Sequence, residues 1–238
     1  MIGLGTIINC GSVLAGASAG MLLKNGLSKR FEDTIMQGIG LCTMFIGIGG
    51  AMQHMLKITD GALETSGSMM LIICFVLGSI VGELLDIEGA FERFGAWLRK
   101  KTHNESDTGF LSAFIHASLT VCIGAMAIVG SIQDGLLGDS SLLCAKAALD
   151  AVIILVMTAS MGKGCIFSAI PVALLQGGVT LLSRVLAPIF TEAAIANLSY
   201  TGSVMIFCVG LNLVWGKKIK VANLLPTLVF AVLYALVF

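Results

Sequence analysis

Residues 127–152 read AIVGSIQDGLLGDSSLLCAKAALDAV. The first half closes an apolar run over 109–134 and the second opens another over 141–162, with a short polar turn between them. A hydrocarbon core about 30 Å thick needs about 20 apolar residues per helix, and both runs meet that length. Yet this one stretch holds Asp134, Asp139, Lys146 and Asp150. An ionised side chain at the centre of a spanning helix costs at least about 2.5–3.5 kcal/mol, so its presence there calls for a partner, a wet cavity or cargo.

The rest of the chain repeats the apolar theme. Of 238 residues, 57% are hydrophobic and 12% charged, against about 25% charged in a soluble domain. Mean hydropathy is +0.98. The composition implies an all-α polytopic membrane helix bundle. Eight runs qualify as spans: 2–23, 34–56, 67–86, 109–134, 141–162, 164–185, 200–215 and 222–238, with the seventh permitted to start near Thr191. The opening run lacks a basic segment before it and a cleavage site before Lys24, so it reads as a retained span rather than a signal peptide. The whole reads as one integral membrane domain over 1–238.

Net charge is zero and the basic residues form short clusters between apolar runs, which excludes an extended nucleic-acid surface. Those clusters set orientation, because Lys and Arg beside spans stay cytoplasmic. Lys24, Lys29 and Arg30, then Arg93, Arg99, Lys100 and Lys101, then Lys163, then Lys217, Lys218 and Lys220 fall in alternate loops, and the opposite set holds only Lys57 and Arg184. Both termini are therefore expected on the periplasmic or extracellular side. Within 86–101, Ile87, Phe91, Phe94 and Leu98 share a helical face beside Trp97, the pattern of an amphipathic helix lying in the membrane interface.

Internal similarity is visible. GASAGMLLKNGLSKRF from Gly16 resembles GSIVGELLDIEGAFERF from Gly78, and Cys42, Ile48, Gly50 and Gln53 match Cys122, Ile128, Gly130 and Gln133. Units 1–56 and 67–134 thus read as two-helix repeats. A third copy over 164–215, where Gly202 and Phe207 echo Gly40 and Phe45, is a fainter match that competes with chance similarity among Gly- and Leu-rich helices. If real, it is inverted relative to the others, an arrangement common in secondary transporters.

Candidate site residues follow from polarity inside the runs. Lys146 and Asp150 lie about 8 and 14 Å below the outer end of the fifth span at 1.5 Å per residue, on one face. Their order, Lys before Asp, is the weaker one for helix stability. Gln133 and Asp134 end the fourth span, and the turn allows Asp134 to approach Lys146. Asp150 comes level with Gly124–Ala127, whose small side chains leave a pocket or a tight contact. Asp139 and Ser140 are turn and N-cap residues. Asn9, Gln37, His116, Gln176 and Asn212 complete the polar set; His116 is either a proton relay or a histidine satisfied by a nearby carbonyl. Pro171, shortly before Gln176, is placed to break its helix or merely to kink it.

The seven cysteines are scattered singly in apolar runs without metal-ligand spacing and read as small apolar fillers. No HExxH, P-loop or dinucleotide fingerprint occurs, so neither an enzyme nor a cofactor is expected.

The segments CIGAMAIVGSIQDGL, LLCAKAALDAV and FSAIPVALLQGGVTLLS, with the opening GTIIN, resemble domain-of-unknown-function family 554, the YqgA-like bacterial inner-membrane proteins, over essentially the whole chain. The resemblance implies a polytopic plasma-membrane protein and carries no functional residues. The residues themselves favour a secondary transporter of a small polar solute or ion, with Gln133, Asp134, Lys146, Asp150 and Gln176 along the route, Asp150 as the coupling carboxylate and Lys146 balancing it. A non-transporting scaffold or partner subunit and an ion channel are the alternatives. The expected partners are the lipid bilayer and the solute or ion, with no nucleic acid, and Gly-rich faces permit a homo-oligomer.

Overall fold

The computed structural model of the chain describes residues 1–24, 29–59, 61–103, 109–123 and 125–237. The chain is the all-α bundle read from its composition. In order, the α-helices are α1 (Leu4–Lys24), α2 (Lys29–Met55), α3 (Ser68–Leu85), α4 (Ile87–Lys101), α5 (Phe110–Cys122), α6 (Ala125–Leu137), α7 (Ser141–Met161), α8 (Ala169–Leu181), α9 (Ser183–Leu186), α10 (Glu192–Trp215) and α11 (Pro226–Val237). Two 3₁₀ segments, Lys163–Ser168 and Val221–Leu224, lead into α8 and α11. Among the described residues, five helices are long and apolar enough to cross a membrane: α1, α3, α7, α10 and the combined Lys163–Leu181. A sixth span results if α5 and α6, bent by 60° to one another, cross together.

The boundaries have local causes. Gly67, in the left-handed region at φ 76°, precedes α3, and Asp86 at φ 48° ends it while turning its N–H back to Glu83 and Gly82. The side-chain oxygen of Thr191 accepts a hydrogen bond from Ala194 N at 3.2 Å, so α10 starts at 192, the earlier of the two starts expected for that run. The expectation of one helix over 109–134 is corrected: α5 and α6 are separate. The linker expected between the second and third spans is an antiparallel hairpin, β1 (Leu56–Thr59) with β2 (Ala62–Thr65), in which Leu56 faces Thr65. Asp60-Gly61 between two short β-prone runs is the sequence signal for it.

The helices gather into two compact units, the first made of Met1–Ile39, Gly89–Cys122 and Met126–Leu186, the second of Gly40–Glu88, Ile123–Ala125 and Ala187–Phe238. In the first, α1 packs along α7. Gly16 and Gly20 make that possible, because a Cβ at either would run into the α7 backbone carbonyls of Ala151 and Leu155. Gly5 lies against Leu143 and Gly20 against Thr158, so the two helices run parallel. Val13 on α1, Leu143, Ile154 and Met157 on α7, and Phe110 and Phe114 on α5 are buried in this unit. On α4, Phe91 and Phe94 lie 6.4 and 5.9 Å from the Phe114 ring, and Trp97, half-exposed, stacks on Phe94 and has the Lys101 ammonium 4.8 Å from its ring centroid.

The second unit uses the same small-residue spacing on α3. A Cβ at Gly78 or Gly82 would meet Thr227 or the Asn223 carbonyl, so α3 lies antiparallel to the segment ending in α11. The small-residue pairs Gly16/Gly20 and Gly78/Gly82 thus close on a parallel partner in one unit and an antiparallel partner in the other. Gly40 meets Gly210 and Gly47 meets Phe207, which sets α2 antiparallel to α10. Met70, Cys74, Tyr200 and Ala231 form the buried centre. At one end a polar lattice ties the α3–α4 junction to 217–223: Lys220 Nζ to Glu83 (2.6 Å), Asn223 Nδ2 to Glu83 (2.6 Å), Glu88 N to Asn223 Oδ1 (2.6 Å) and Lys217 Nζ to Glu88 (3.0 Å).

Candidate functional site

The first unit holds nearly all of the polar residues singled out in the sequence. At its centre Lys146 Nζ donates to both oxygens of Asp150, at 2.8 and 2.7 Å, within one turn of α7. The parallel packing of α1 brings in a third member: Asn9 Nδ2 donates to Asp150 Oδ2 at 3.0 Å. Asn9, Lys146 and Asp150 are all buried. The carboxylate is thus fully engaged by an ammonium and an amide, while one of the three Nζ hydrogens is left over. Cys122, the last residue of α5, lies within electrostatic reach of Lys146, Asp150 and Cys10. Cys10 in turn points at the Ala169 carbonyl at the head of α8, 3.8 Å away.

Asp134 is fully buried but is not the partner of Lys146 that the turn allowed. Its Oδ2 accepts from the backbone N–H of Gly5, 3.1 Å away, in the first turn of α1. A helix N-terminus carries about half a positive charge, which accounts for the attraction. Its Oδ1 is buried with no hydrogen-bond partner. Gln176 on α8 is buried and its Oε1 likewise has none; Thr180, four residues on and on the same face, repeats the pattern. Thr6, Ser118 and Thr158 also bury unpaired hydroxyl oxygens in this unit. Gln133 is half-buried near the end of α6.

His116 Nδ1 is 2.8 Å from the Ser112 carbonyl of its own helix, the structural role set against a proton relay. Asn212 belongs to the second unit, where it accepts from Lys218 N and Ile219 N at 2.9 and 3.0 Å and donates to the Ile219 carbonyl at 2.7 Å, fastening the chain beyond α10. Gln37 is exposed on α2. Gly124, read as part of a pocket beside Asp150, lies outside the described residues. Asp139 caps the start of α7 by accepting from Ser141 N at 2.9 Å, and Ser140, at the N-cap position, makes no capping bond with its side chain.

Sequence reasoning passed over Thr6, Ser118, Thr158 and Thr180. A hydroxyl within an apolar helix ordinarily bonds the carbonyl one turn back and carries no signal, as Ser131 and Thr120 do here. Thr180 did have one available cue, its spacing of four from Gln176.

A bundle of membrane-length helices enclosing an ion pair, an orphaned carboxylate oxygen and unpaired hydroxyls defines a polytopic membrane protein with a polar seam. The chain belongs to the family described as Protein of unknown function (DUF554), whose profile matches residues 4–236. It is 26% identical over 224 residues to the uncharacterized membrane protein YdfK of Bacillus subtilis (strain 168), covering 94% of this chain and 92% of the relative. It is also 26% identical over 235 residues to the uncharacterized protein YqgA of Escherichia coli (strain K12), covering 96% of this chain and 94% of that one. No solved structure matches the chain.

Proposed function

We propose that the protein is a carrier for a small polar solute or ion in the bacterial plasma membrane, neither an enzyme nor a static scaffold, and that the Asn9–Lys146–Asp150 clasp opens and closes as cargo passes. The supporting observation is the clasp itself. Replacing a buried ion pair by packed apolar side chains is often neutral or stabilising, so holding one between α1 and α7 is hard to explain by stability. The reach of its charges to Cys122, where α5 ends within the fourth apolar run, favours a moving part, because interrupted helices are where transporters place their sites.

The test begins with a thermal-shift screen of metabolites and ions on the purified protein, since bound cargo raises apparent stability. Uptake of the stabilising solute into proteoliposomes is then compared for wild type, Asp150→Asn and Lys146→Ala. Carrier action requires both variants to lose uptake; transport at the wild-type rate by both would refute the assignment.

One observation favours a second reading, a scaffold or partner subunit. Asp150 has both oxygens occupied within the protein already, as a permanent helix fastener would. That reading predicts that Lys146→Met/Asp150→Leu folds and supports every cellular role of the protein.

A further inference from the structure

We infer that Asp134 Oδ1, Thr6 Oγ1 and Thr180 Oγ1 provide a binding site for a monovalent metal cation of sodium size, where the last turns of α6 and α8 meet the first turn of α1. All three oxygens belong to buried side chains and none has a hydrogen-bond partner. The chain brings their carriers together from three helices. Gly5, which precedes Thr6, holds the other oxygen of Asp134 through its N–H. Gly135, which follows Asp134, lies so close to α8 that a Cβ there would strike the Thr180 carbonyl and the Ser183 hydroxyl.

Charge points the same way. Among the described residues Asp134 pairs with no ammonium or guanidinium; Lys146 is taken by Asp150, and Arg184, next to the buried Ser183, is exposed. The first turn of α1 offsets about half of the carboxylate charge, but the C-terminal ends of α6 and α8 each add about half a negative charge. Even with the Met1 amine close by at Gly138, the carboxylate and the two helix ends leave negative charge beside three unused oxygens in an apolar bundle, where an uncompensated charge is costly. One carboxylate with neutral hydroxyl and carbonyl donors suits Na⁺; Ca²⁺ draws on several carboxylates, and Mg²⁺ on an octahedral shell rich in water. Half-helix C-terminal ends are the groups that coordinate Na⁺ in transporters with interrupted helices.

As the coupling ion of a carrier the cation rests on the function proposed above, but its binding does not, and the two fail separately. Thermal unfolding of the detergent-purified full chain is followed in NaCl, KCl and choline chloride at equal ionic strength. Na⁺ at tenfold its dissociation constant should raise the midpoint by about 3–6 °C over choline. Asp134→Asn should abolish that response. Thr180→Val should weaken the apparent Na⁺ affinity about tenfold or more, while Thr180→Ser retains it. If Asp134→Asn fails to fold, the Thr180 pair decides the matter. Identical midpoints in the three salts, a Na⁺ response unchanged in Thr180→Val, or stabilisation that follows pH and not Na⁺ would each overturn the site, the last by assigning a proton to Asp134. Solute uptake that continues without a Na⁺ response would leave the carrier standing and remove only its sodium site.

Discussion

Lys146 and Asp150 stand four residues apart on α7, so their pairing is local, but the energy of the pair depends on what surrounds it. In an apolar bundle, loss of one partner leaves a bare charge, whereas loss of both leaves only a packing change. Lys146→Met alone should therefore lower the unfolding free energy by about 3–5 kcal/mol, and Lys146→Met/Asp150→Leu should return it to within about 1 kcal/mol of wild type or raise it. Reversible unfolding in mixed micelles with increasing dodecyl sulfate measures both. The double variant also separates the two functional readings, because it remains folded with the clasp removed. Asn9 is coupled to the same carboxylate, so its replacement by Leu should cost less in the double variant than in wild type.

The helices owe their contacts to where side chains are missing. On α1, Gly16 faces the α7 backbone, which cannot yield to a larger residue, whereas Gly49 on α2 has nothing within 4 Å. Gly16→Leu should therefore destabilise the protein by about 3 kcal/mol or more, and Gly49→Leu should leave its stability unchanged in the same unfolding assay. The start of α7 depends on charge instead. The Ser141 hydroxyl and then its backbone N–H hold the Asp139 carboxyl below the ordinary carboxylate range. A folded value below the unfolded one means that the stabilisation is complete above the ordinary range and is lost as pH falls through the depressed value. Asp139→Ala should accordingly be less stable than wild type at neutral pH, with the gap closing as the medium is acidified past that point. Melting curves recorded across that range check the sign.

Over the whole chain, the directions of packed helices constrain how often it crosses the membrane. In the first unit α1 and α7 run parallel, and Phe110 beside Gly164 with Gly135 beside Thr180 makes the α5–α6 run parallel to the segment through α8. In the second, α2 opposes α10 and α3 opposes α11. Eight alternating crossings would produce all four relations, since crossings one and five, or four and six, share a direction while two and seven, or three and eight, do not. With the basic loops inside, alkaline phosphatase fused after Phe238 should be active and green fluorescent protein fused there dark. The reverse pattern would invert the orientation or make the number of crossings odd.

The primary structure by itself determined that this is an all-α membrane protein, because apolar transfer energy accumulates along a run of about 20 residues and lipid leaves each backbone group to be satisfied within its own helix. It also determined the Lys146–Asp150 pair, which one helical turn enforces, and the Gly16/Gly20 spacing that prepares α1 for a close neighbour. Tertiary structure alone decided that Asn9 completes the clasp, that Asp134 turns from Lys146 to the first turn of α1, and that Asn212 secures a loop. The first two contacts join residues 141 and 129 positions apart, and the third depends on a turn after α10 that doubles the chain back. No local periodicity encodes such pairings. They arise when helices of similar hydropathy select one another by the fit of small residues against backbone, and each polar group then takes the partner that this fit leaves within reach.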